Sequence, residues 1–393
     1  MENFLGFCFV LAISVFVYWF LIPSKWRNLF LLICSFIFIA FLSIPPAIYF
    51  LFNITVVYFA GKFINKGDKN KKFLTKLILF WLIGNLCFFK YANLLFKINP
   101  WPILIPKIKF TEILFPLGLS FITFRLIHYI VEVYRKNITE TSFIIFALYV
   151  LFFPTFLAGP IERFPRFHLQ AIEEKNIEVS NINYGLLRII IGIIKKAFIA
   201  DNLLRLISHV FASPGLYTRI IILCSIYSLA IVIYMDFSGY TDIAIGIARL
   251  FGYKIMENFN KPLLQKNIVS FVRNWHISLY TWIRDYFFFP VFGTRTSKVK
   301  LCIGIFVTMF VVNLWHKASL EFLFAGVYGG IGIIAWVLFQ WIKKRYTLVQ
   351  NLFSYKWLGI FSYFCTFSWF SFNLLIAHLE IKQTLDIIKR IFI

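Results

Sequence analysis

The stretch NLFLLICSFIFIAFLSIPPAIYFLFNITVVYFAG, residues 28–61, decides the fold because it carries no charged side chain over 34 residues. A helix needs about 20 apolar residues to cross a bilayer, so this run predicts two spanning helices, 28–44 and 46–61. Its apolar residues are continuous rather than alternating, which favours helices over strands. Within the hydrocarbon region, only helices or closed barrels satisfy every backbone polar group.

Long apolar runs also occur on both sides of residues 28–61. Hydrophobic residues make up 60% of the sequence, against roughly 45–50% in soluble domains. We therefore predict an all-α polytopic membrane protein, a single membrane domain over residues 1–393, with about 11 spanning helices. They are expected at approximately 4–22, 28–44, 46–61, 74–96, 113–134, 142–158, 184–210, 218–250, 299–315, 320–342 and 354–377.

Charge is concentrated between the apolar runs. The net charge is +23, from 40 Lys and Arg against 17 Asp and Glu. In this setting the basic residues indicate cytoplasmic loops rather than nucleic-acid binding. They also suit anionic lipid headgroups or an anionic substrate such as the phosphates of coenzyme A. Lys25 and Arg27 directly follow the first apolar run, which predicts an N-terminus outside the cytoplasm.

His276 is the first candidate for chemistry, in the aromatic segment 266–290, which is too polar to face lipid alone and is expected to be re-entrant or interfacial. Helical spacing would place Arg273 and Tyr280 on the face of His276, with Arg284 on nearly the same side and Asp285 pointing elsewhere. Such a face suits an anionic or carbonyl substrate. The alternative is an interfacial helix whose arginines reach lipid headgroups.

His316 is the second candidate, at the end of a run that is apolar from Leu301 to Trp315. Lys317 follows it, and a nearby ammonium favours the neutral imidazole, which can act as a base near pH 7. The alternative is an interfacial histidine in an aromatic belt. For His128, which lies between Arg125 and Glu132, a buried polar cluster is the favoured interpretation.

Further features carry both functional and structural interpretations. Asp236 and Asp242 follow an uncharged run and are candidates for substrate binding, or alternatively form a polar knot between helices. Gly239 permits a helix break or a close backbone approach. Residues 152–164, FFPTFLAGPIERF, predict a re-entrant turn because proline and glycine interrupt a helix. Gly326 and Gly330 predict a helix-packing surface. The sequence contains no HExxH motif and no ligand cluster, so no metal is expected.

Several long strings resemble, in matching order over about residues 110–330, the membrane-bound O-acyltransferase family. The likeness is to its bacterial branch, which includes the alginate O-acetylation and teichoic acid D-alanylation membrane proteins. The matching strings are PLGLSFITFRLIHYIVEVYR at 116–135, FFPTFLAGPIERFPRF at 152–167, MDFSGYTDIAIGIARLFGYKIMENFNKPLL at 235–264, NIVSFVRNWHISLYTWIRDYFFFPVFG at 267–293 and NLWHKAS at 313–319.

This resemblance implies a ring of tilted helices around a funnel or tunnel, with a catalytic core at residues 110–330 between N-terminal helices (1–110) and C-terminal helices (331–393). It implies an acyltransferase with His316 as the central histidine and His276 as the family's second conserved polar position. We predict that both histidines are catalytic and that Trp315 binds substrate. Where the family usually has glycines flanking the Trp-His pair, Asn313 and Lys317 stand here.

The resemblance also implies the substrates and partners. The donor would be a cytoplasmic thioester, acyl-CoA or an acyl carrier, most simply acetyl, with no permanently bound cofactor. The acceptor would be a hydroxyl of an extracytoplasmic polysaccharide or other envelope polymer, reached with the help of an esterase-like transferase partner outside the cytoplasmic membrane. Two other classes stay open: a transporter or flippase of an envelope intermediate, and a structural subunit of an envelope complex.

Overall fold

The computed structural model describes residues 2–67, 69–97, 116–139, 141–352 and 356–392. Within them every regular element is helical and no strand occurs, which confirms the all-α prediction. The described part of the chain forms two compact units. One holds residues 1–190 and 241–256, and the other holds residues 191–240 and 257–393.

The helices are numbered in chain order. The first group is α1 (Glu2–Phe16), α2 (Arg27–Leu42), α3 (Ile44–Asn65), α4 (Lys71–Lys97), α5 (Leu119–Tyr134), α6 (Phe143–Leu151), α7 (Phe164–Ile172), α8 (Val179–Ile193) and α9 (Asp201–Ala212). The second group is α10 (Arg219–Leu250), α11 (Ile268–Asn274), α12 (Ile277–Ile283), α13 (Phe289–Phe292), α14 (Lys298–His316), α15 (Leu320–Arg345), α16 (Thr347–Leu352), α17 (Lys356–His378) and α18 (Ile381–Phe392).

Among the described residues, seven helical segments are long and apolar enough to cross a membrane: 24–42, 44–65, 71–91, 219–250, 298–316, 320–345 and 358–378. Two shorter apolar segments, 6–21 and 143–155, add to them. The polytopic prediction is thus confirmed, whereas the ring of about 11 spans around a tunnel stays a prediction. The division of one domain into a core and two flanking parts also stays a prediction.

Several predicted helix limits were wrong. The helix expected at 142–158 ends at Leu151, because Pro154 cannot continue it and a 3-10 turn, Phe153–Thr155, follows. The helix expected at 113–134 begins at Leu119, and residues 113–115 lie outside the described part. Helices α7 and α18 were not predicted, because they are short and amphipathic and so lack a long apolar run.

Three stretches within the described helices are wound as π-helix: Val17–Leu21, Ile194–Ala200 and Arg284–Phe288. The second joins α8 to α9 and makes one helical run over residues 179–212, longer than the predicted 184–210. This run carries basic residues throughout its middle, so it is not among the seven candidate spans. Such π segments often occur at functional sites, and the second and third carry charged residues considered below.

The second unit is built on a hydrophobic cluster that α9, α10, α17 and α18 share. Ile207, Ile226, Phe370 and Ile387 are among its buried members. The apolar face of α18 is therefore covered by the unit itself. Four cysteines of the described residues, Cys8, Cys87, Cys224 and Cys365, are exposed, as side chains facing lipid would be.

Glycines let α15 pack closely in the second unit. A Cβ on Gly326 would lie 3.1 Å from Cβ of Asn313 and 3.2 Å from the carbonyl oxygen of Met309, both on α14. A Cβ on Gly330 would likewise meet Phe306 of α14 at 3.3 Å. The prediction that Gly326 and Gly330 form a packing surface is confirmed, because small residues are what permit helix backbones to approach.

In the first unit, Gly246 of α10 gives a stability prediction. A Cβ there would lie 2.6 Å from the carbonyl oxygen of Gly185 in α8, whereas a Cβ on Gly84 in α4 would meet nothing within 4 Å. We expect Gly246→Ala to destabilise the protein by about 1–3 kcal/mol through overpacking. Gly84→Ala should be neutral or slightly stabilising, because alanine is the better helix former. Thermal unfolding in detergent tests both, and equal midpoints would contradict the prediction.

Candidate acyl-transfer site

The segment around His276 is a break between two short helices. Helix α11 ends at Asn274, Trp275 is extended (φ −103°, ψ 127°), and α12 begins at Ile277. His276 itself has φ 46° and ψ 54°, in the left-handed region. The prediction of one helical face shared by Arg273, His276 and Tyr280 was therefore wrong. Residues at i−3 and i+4 share a face only in a continuous helix. Here the left-handed backbone of His276 separates Arg273 in α11 from Tyr280 in α12.

The imidazole of His276 is buried, with 5% of the residue exposed. Its ring meets the ring of Phe237 edge to face, with 4.7 Å between centroids. Its Nε2 atom has no hydrogen-bond partner among the residues that the structure describes. Burial, and after it the charge of His316, lower the pKa of His276 to about 3. The side chain is therefore a neutral imidazole near pH 7.

Trp275, the residue before His276, fixes the break between α11 and α12 through aromatic packing. Trp275 stacks on Phe271 with 5.6 Å between centroids and at an interplanar angle of 17°. It also contacts Phe370 at 4.7 Å and Phe259 at 5.1 Å. Because Phe271 and Phe370 belong to the buried cluster of the second unit, the residue before His276 is held by the core. Such ring pairs contribute beyond the apolar area that they bury.

His316 is the last residue of α14 and lies in the same unit as His276. It is exposed on the isolated chain, next to the ring of Trp315 at 4.5 Å and the ring of Phe322 at 6.3 Å between centroids. The two imidazoles are forty positions apart in sequence, and both belong to the second unit.

The other residues predicted around His276 are arranged differently. Arg273 is exposed on the last turn of α11, and Tyr280 is half-buried in α12, where its N–H donates to the carbonyl of His276 at 2.9 Å. Arg284 forms an ion pair with Asp285, with Nε to Oδ1 at 2.7 Å and Nη2 to Oδ2 at 3.1 Å. Both residues belong to the π segment Arg284–Phe288, which does not follow α-helical spacing. That Asp285 points away from the face of His276 stays a prediction.

Asp236 and Asp242 each form an ion pair with a basic side chain that lies far from them in sequence. In the second unit, Asp236 pairs with Lys196 of the π segment 194–200. In the first unit, Asp242 pairs with Arg188 of α8 at 2.6 Å. These contacts favour the alternative of a polar knot over substrate binding. Gly239 causes no break in α10 but permits a close approach, since a Cβ there would lie 2.7 Å from the carbonyl oxygen of Gly192.

The two ion pairs should differ in their contribution to stability. The side chains of Arg188 and Asp242 are 17% and 9% exposed, whereas those of Lys196 and Asp236 are 45% and 48% exposed. Asp242→Asn should cost about 3 kcal/mol or more, because it leaves a buried guanidinium without its counter-charge. Asp236→Asn should cost about 1 kcal/mol or less. Thermal unfolding of both variants measures this order, and a larger loss from Asp236→Asn would contradict it.

Residues 152–164 form a buried turn in the first unit. Side chains from outside this stretch, Arg125 first among them, hold the turn in place. Arg125 is 1% exposed; its Nη1 donates to the carbonyls of Tyr149 (3.1 Å) and Val150 (2.8 Å). Its Nη2 donates to the carbonyl (3.0 Å) and the hydroxyl (2.6 Å) of Thr155. The guanidinium thus satisfies carbonyls at the end of α6, which have no partner within the helix.

His128 and Glu162 continue this buried polar group. Nε2 of His128 accepts a hydrogen bond from the backbone N–H of Phe164 at 2.9 Å, so the expected buried polar role is confirmed. The carboxylate of Glu162 accepts from the N–H groups of Arg163 (3.1 Å) and Met256 (2.8 Å). Burial raises the pKa of Glu162, against the opposing charge of Arg166. Both side chains have a structural explanation, and neither is a candidate for catalysis.

The sequence is similar to those of several bacterial proteins named for acyl transfer. The probable alginate O-acetylase of Pseudomonas aeruginosa is 34% identical over 322 residues, which cover 80% of this chain but only 61% of that relative. The peptidoglycan O-acetyltransferase of Helicobacter pylori is 28% identical over 378 residues, 88% of this chain and 69% of the relative. The teichoic acid D-alanyltransferase of Bacillus subtilis is 30% identical over 273 residues, 65% of this chain and 67% of the relative.

A family model covers most of the chain, including both histidines and the strings at residues 116–319 that carry the resemblance. It is the model of the membrane-bound O-acyltransferase family, and it matches residues 31–373. This extent is far more than half of the 393 residues. The chain therefore belongs to the membrane-bound O-acyltransferase family.

Proposed function

We propose that the protein transfers an acyl group, acetyl in the simplest case, from a thioester donor to a hydroxyl of an envelope polymer. The observation that carries the proposal is His276, which is buried with an unpartnered Nε2 in the same unit as the exposed His316. Relatives named for O-acetylation of alginate and peptidoglycan, and for D-alanylation of teichoic acid, support this reaction class.

In the proposed reaction His316 is the general base. It takes the proton of the acceptor hydroxyl while that oxygen attacks the thioester carbonyl carbon. The C–S bond then breaks, and the departing sulfur takes the proton from the imidazolium. An ester and a free thiol are the products, and His316 returns to its neutral form. Since the exposed ring of His316 lies beside Trp315 at the end of α14, substrate can reach it from that end.

His276 is proposed to stabilise the oxyanion of the tetrahedral intermediate. Its neutral imidazole can donate one hydrogen bond through Nε2, in a buried place where such a bond is stronger than in water. Arg273 and Tyr280, one on either side of the break, are proposed to contact the donor. Arg284, Asp236 and Asp242 are engaged in ion pairs, so we give them supporting roles.

The location and partners complete the proposal. The donor, acyl-CoA or an acyl carrier thioester, approaches from the cytoplasm, and the acceptor lies on the other side of the cytoplasmic membrane. An esterase-like transferase outside the membrane would receive the acyl group or pass it to the polymer. The N-terminus is proposed to lie outside, because Lys25 and Arg27 follow the first apolar run.

The deciding experiment follows a radiolabelled acetyl thioester, supplied to the purified protein in detergent with polysaccharide and peptidoglycan fragments as acceptors. We expect the label to appear in a hydroxyl ester that mild base releases, with one thiol formed for each ester. A transporter or flippase would move an envelope intermediate across reconstituted vesicles without any covalent acyl change. Absence of ester with every acceptor, together with such movement, would refute the proposal.

A further inference from the structure

A short segment of the second unit lies against the break that holds His276. Asn258 is fully buried, and its carbonyl oxygen accepts a hydrogen bond from the N–H of Ile277 at 2.9 Å. Its side-chain Oδ1 accepts from the N–H of Ser278 at 3.3 Å. Two residues further on, the N–H of Asn260 donates to the carbonyl of Asn274 at 3.1 Å. The segment thus binds the end of α11 and the start of α12.

These contacts replace the cap that α12 lacks. The first N–H groups of a helix have no partner inside it, and an asparagine, serine or aspartate immediately before the helix usually accepts from them. The residue at that position is His276, and its side chain makes no capping hydrogen bond. Asn258 accepts from the first two N–H groups of α12 instead. The imidazole is therefore left to face Phe237, with Nε2 available to a ligand.

The backbone of His276 needs this support. A non-glycine residue with φ 46° and ψ 54° is uncommon and strained, and it persists where surrounding contacts determine it. Removing Oδ1 of Asn258, which accepts the hydrogen bond from the N–H of Ser278, would let the first turn of α12 rotate. The Cβ of His276 would then leave its present direction, and the imidazole would move relative to Phe237 and His316.

We propose that Asn258 is a positioning residue for acyl transfer: by capping α12 from a distant part of the chain, it keeps His276 in the left-handed conformation that directs the imidazole toward the reacting atoms. The inference rests on the proposed function, since it assigns Asn258 a role through His276. Asn258 does not touch the substrate in this scheme. Its contribution is the orientation of another side chain, which is a property that can be measured without any turnover.

The chain offers a matched control in Asn267. Its Oδ1 accepts from the N–H of Ser270 at 2.8 Å and caps α11, as Asn258 caps α12. Asn258→Leu and Asn267→Leu each remove one capping amide at similar volume. Asn258→Asp keeps an oxygen acceptor in the same place and is the conservative variant. Asn258→Ala serves as the second probe if the leucine variant does not fold.

The first readout is structural. Hydrogen exchange should increase in residues 277–283 for Asn258→Leu or Asn258→Ala and remain unchanged there for Asn267→Leu, which should instead loosen residues 268–274. With ¹⁵N-labelled histidine, the imidazole resonance of His276, assigned by its loss in His276→Asn, should shift in the Asn258 variants that lack an acceptor. It should keep its wild-type position in Asn258→Asp and Asn267→Leu.

The second readout is catalytic. For Asn258→Leu or Asn258→Ala, kcat should fall on the order of 10–100-fold while KM for the donor changes little, because misplacing a catalytic group costs transition-state stabilisation. Asn258→Asp should recover most of kcat, and Asn267→Leu should keep it. A wild-type His276 resonance together with wild-type kcat in folded Asn258→Ala would overturn the inference. A shifted resonance in a protein that shows no acyl transfer even as wild type would instead refute the proposed function and leave the positioning intact.

Discussion

Purified His316→Ala protein is expected to transfer acyl groups about 10²–10⁴-fold more slowly than the wild type, which is the usual contribution of a general base. The loss should appear in kcat, because the imidazole acts on the acceptor hydroxyl in the transition state rather than in donor binding. Initial rates with a radiolabelled acetyl thioester, at saturating donor, measure it. His316→Gln should behave similarly, since its amide has no basic nitrogen at neutral pH.

The control for this prediction is His209→Ala. His209 is an exposed histidine in the last turn of α9, so its replacement removes an imidazole of the same unit that the proposed reaction does not use. It should retain the wild-type rate. A folded His316→Ala protein that keeps wild-type transfer would remove His316 from the mechanism. Equal losses in both variants would show that the effect comes from the fold.

Arg125→Leu should produce the largest loss of stability, because it deprives three buried carbonyls of their hydrogen-bond donor. These are the carbonyls of Tyr149, Val150 and Thr155, and the hydroxyl of Thr155 loses the same partner. Each buried group left unsatisfied costs about 1–3 kcal/mol, so a loss of about 3–5 kcal/mol or more is expected. Thermal unfolding in detergent, and the yield of folded protein on size-exclusion chromatography, measure the effect.

Arg166→Leu is the matched control for the buried arginine. The side chain of Arg166 is 48% exposed; it donates to the carbonyl of Lys254 at 3.1 Å and lies 3.8 Å from Glu162. Its loss should cost about 1 kcal/mol or less, as for other exposed ion pairs. If Arg125→Leu unfolds at the wild-type temperature, the hydrogen bonds of Arg125 do not fix the turn. This prediction holds whatever the protein catalyses.

Hydropathy predicted much of the fold because the cost of burying charge in lipid acts on every residue of a spanning helix. Residues 28–61 show this clearly, since the two predicted helices both occur. Proline similarly indicated the irregular turn after Leu151. Amphipathic helices such as α18 were missed, because a helix buried on one side only has no long uncharged run.

The details of the candidate site were harder to predict from the sequence, because they depend on contacts between residues that are distant in sequence. The break at His276 is held by Asn258, and no local pattern distinguishes the string around it from a continuous helix. The partner of Asp236 lies 40 positions earlier, on the π segment after α8, and the partner of Asp242 lies 54 positions earlier, on α8 itself. Spacing rules connect residues within one helix, whereas these pairs depend on how helices pack.

The left-handed backbone at His276 also determines which amino acids can occupy that position. Asparagine, aspartate and glycine adopt these angles most readily, and β-branched residues such as valine and isoleucine hardly at all. A saturation library at codon 276 should therefore divide into two groups of inactive clones. Asparagine and glycine clones should accumulate as normally inserted protein, whereas valine and isoleucine clones should be cleared by cellular proteases, so expression level alone would report the constraint imposed by the main chain.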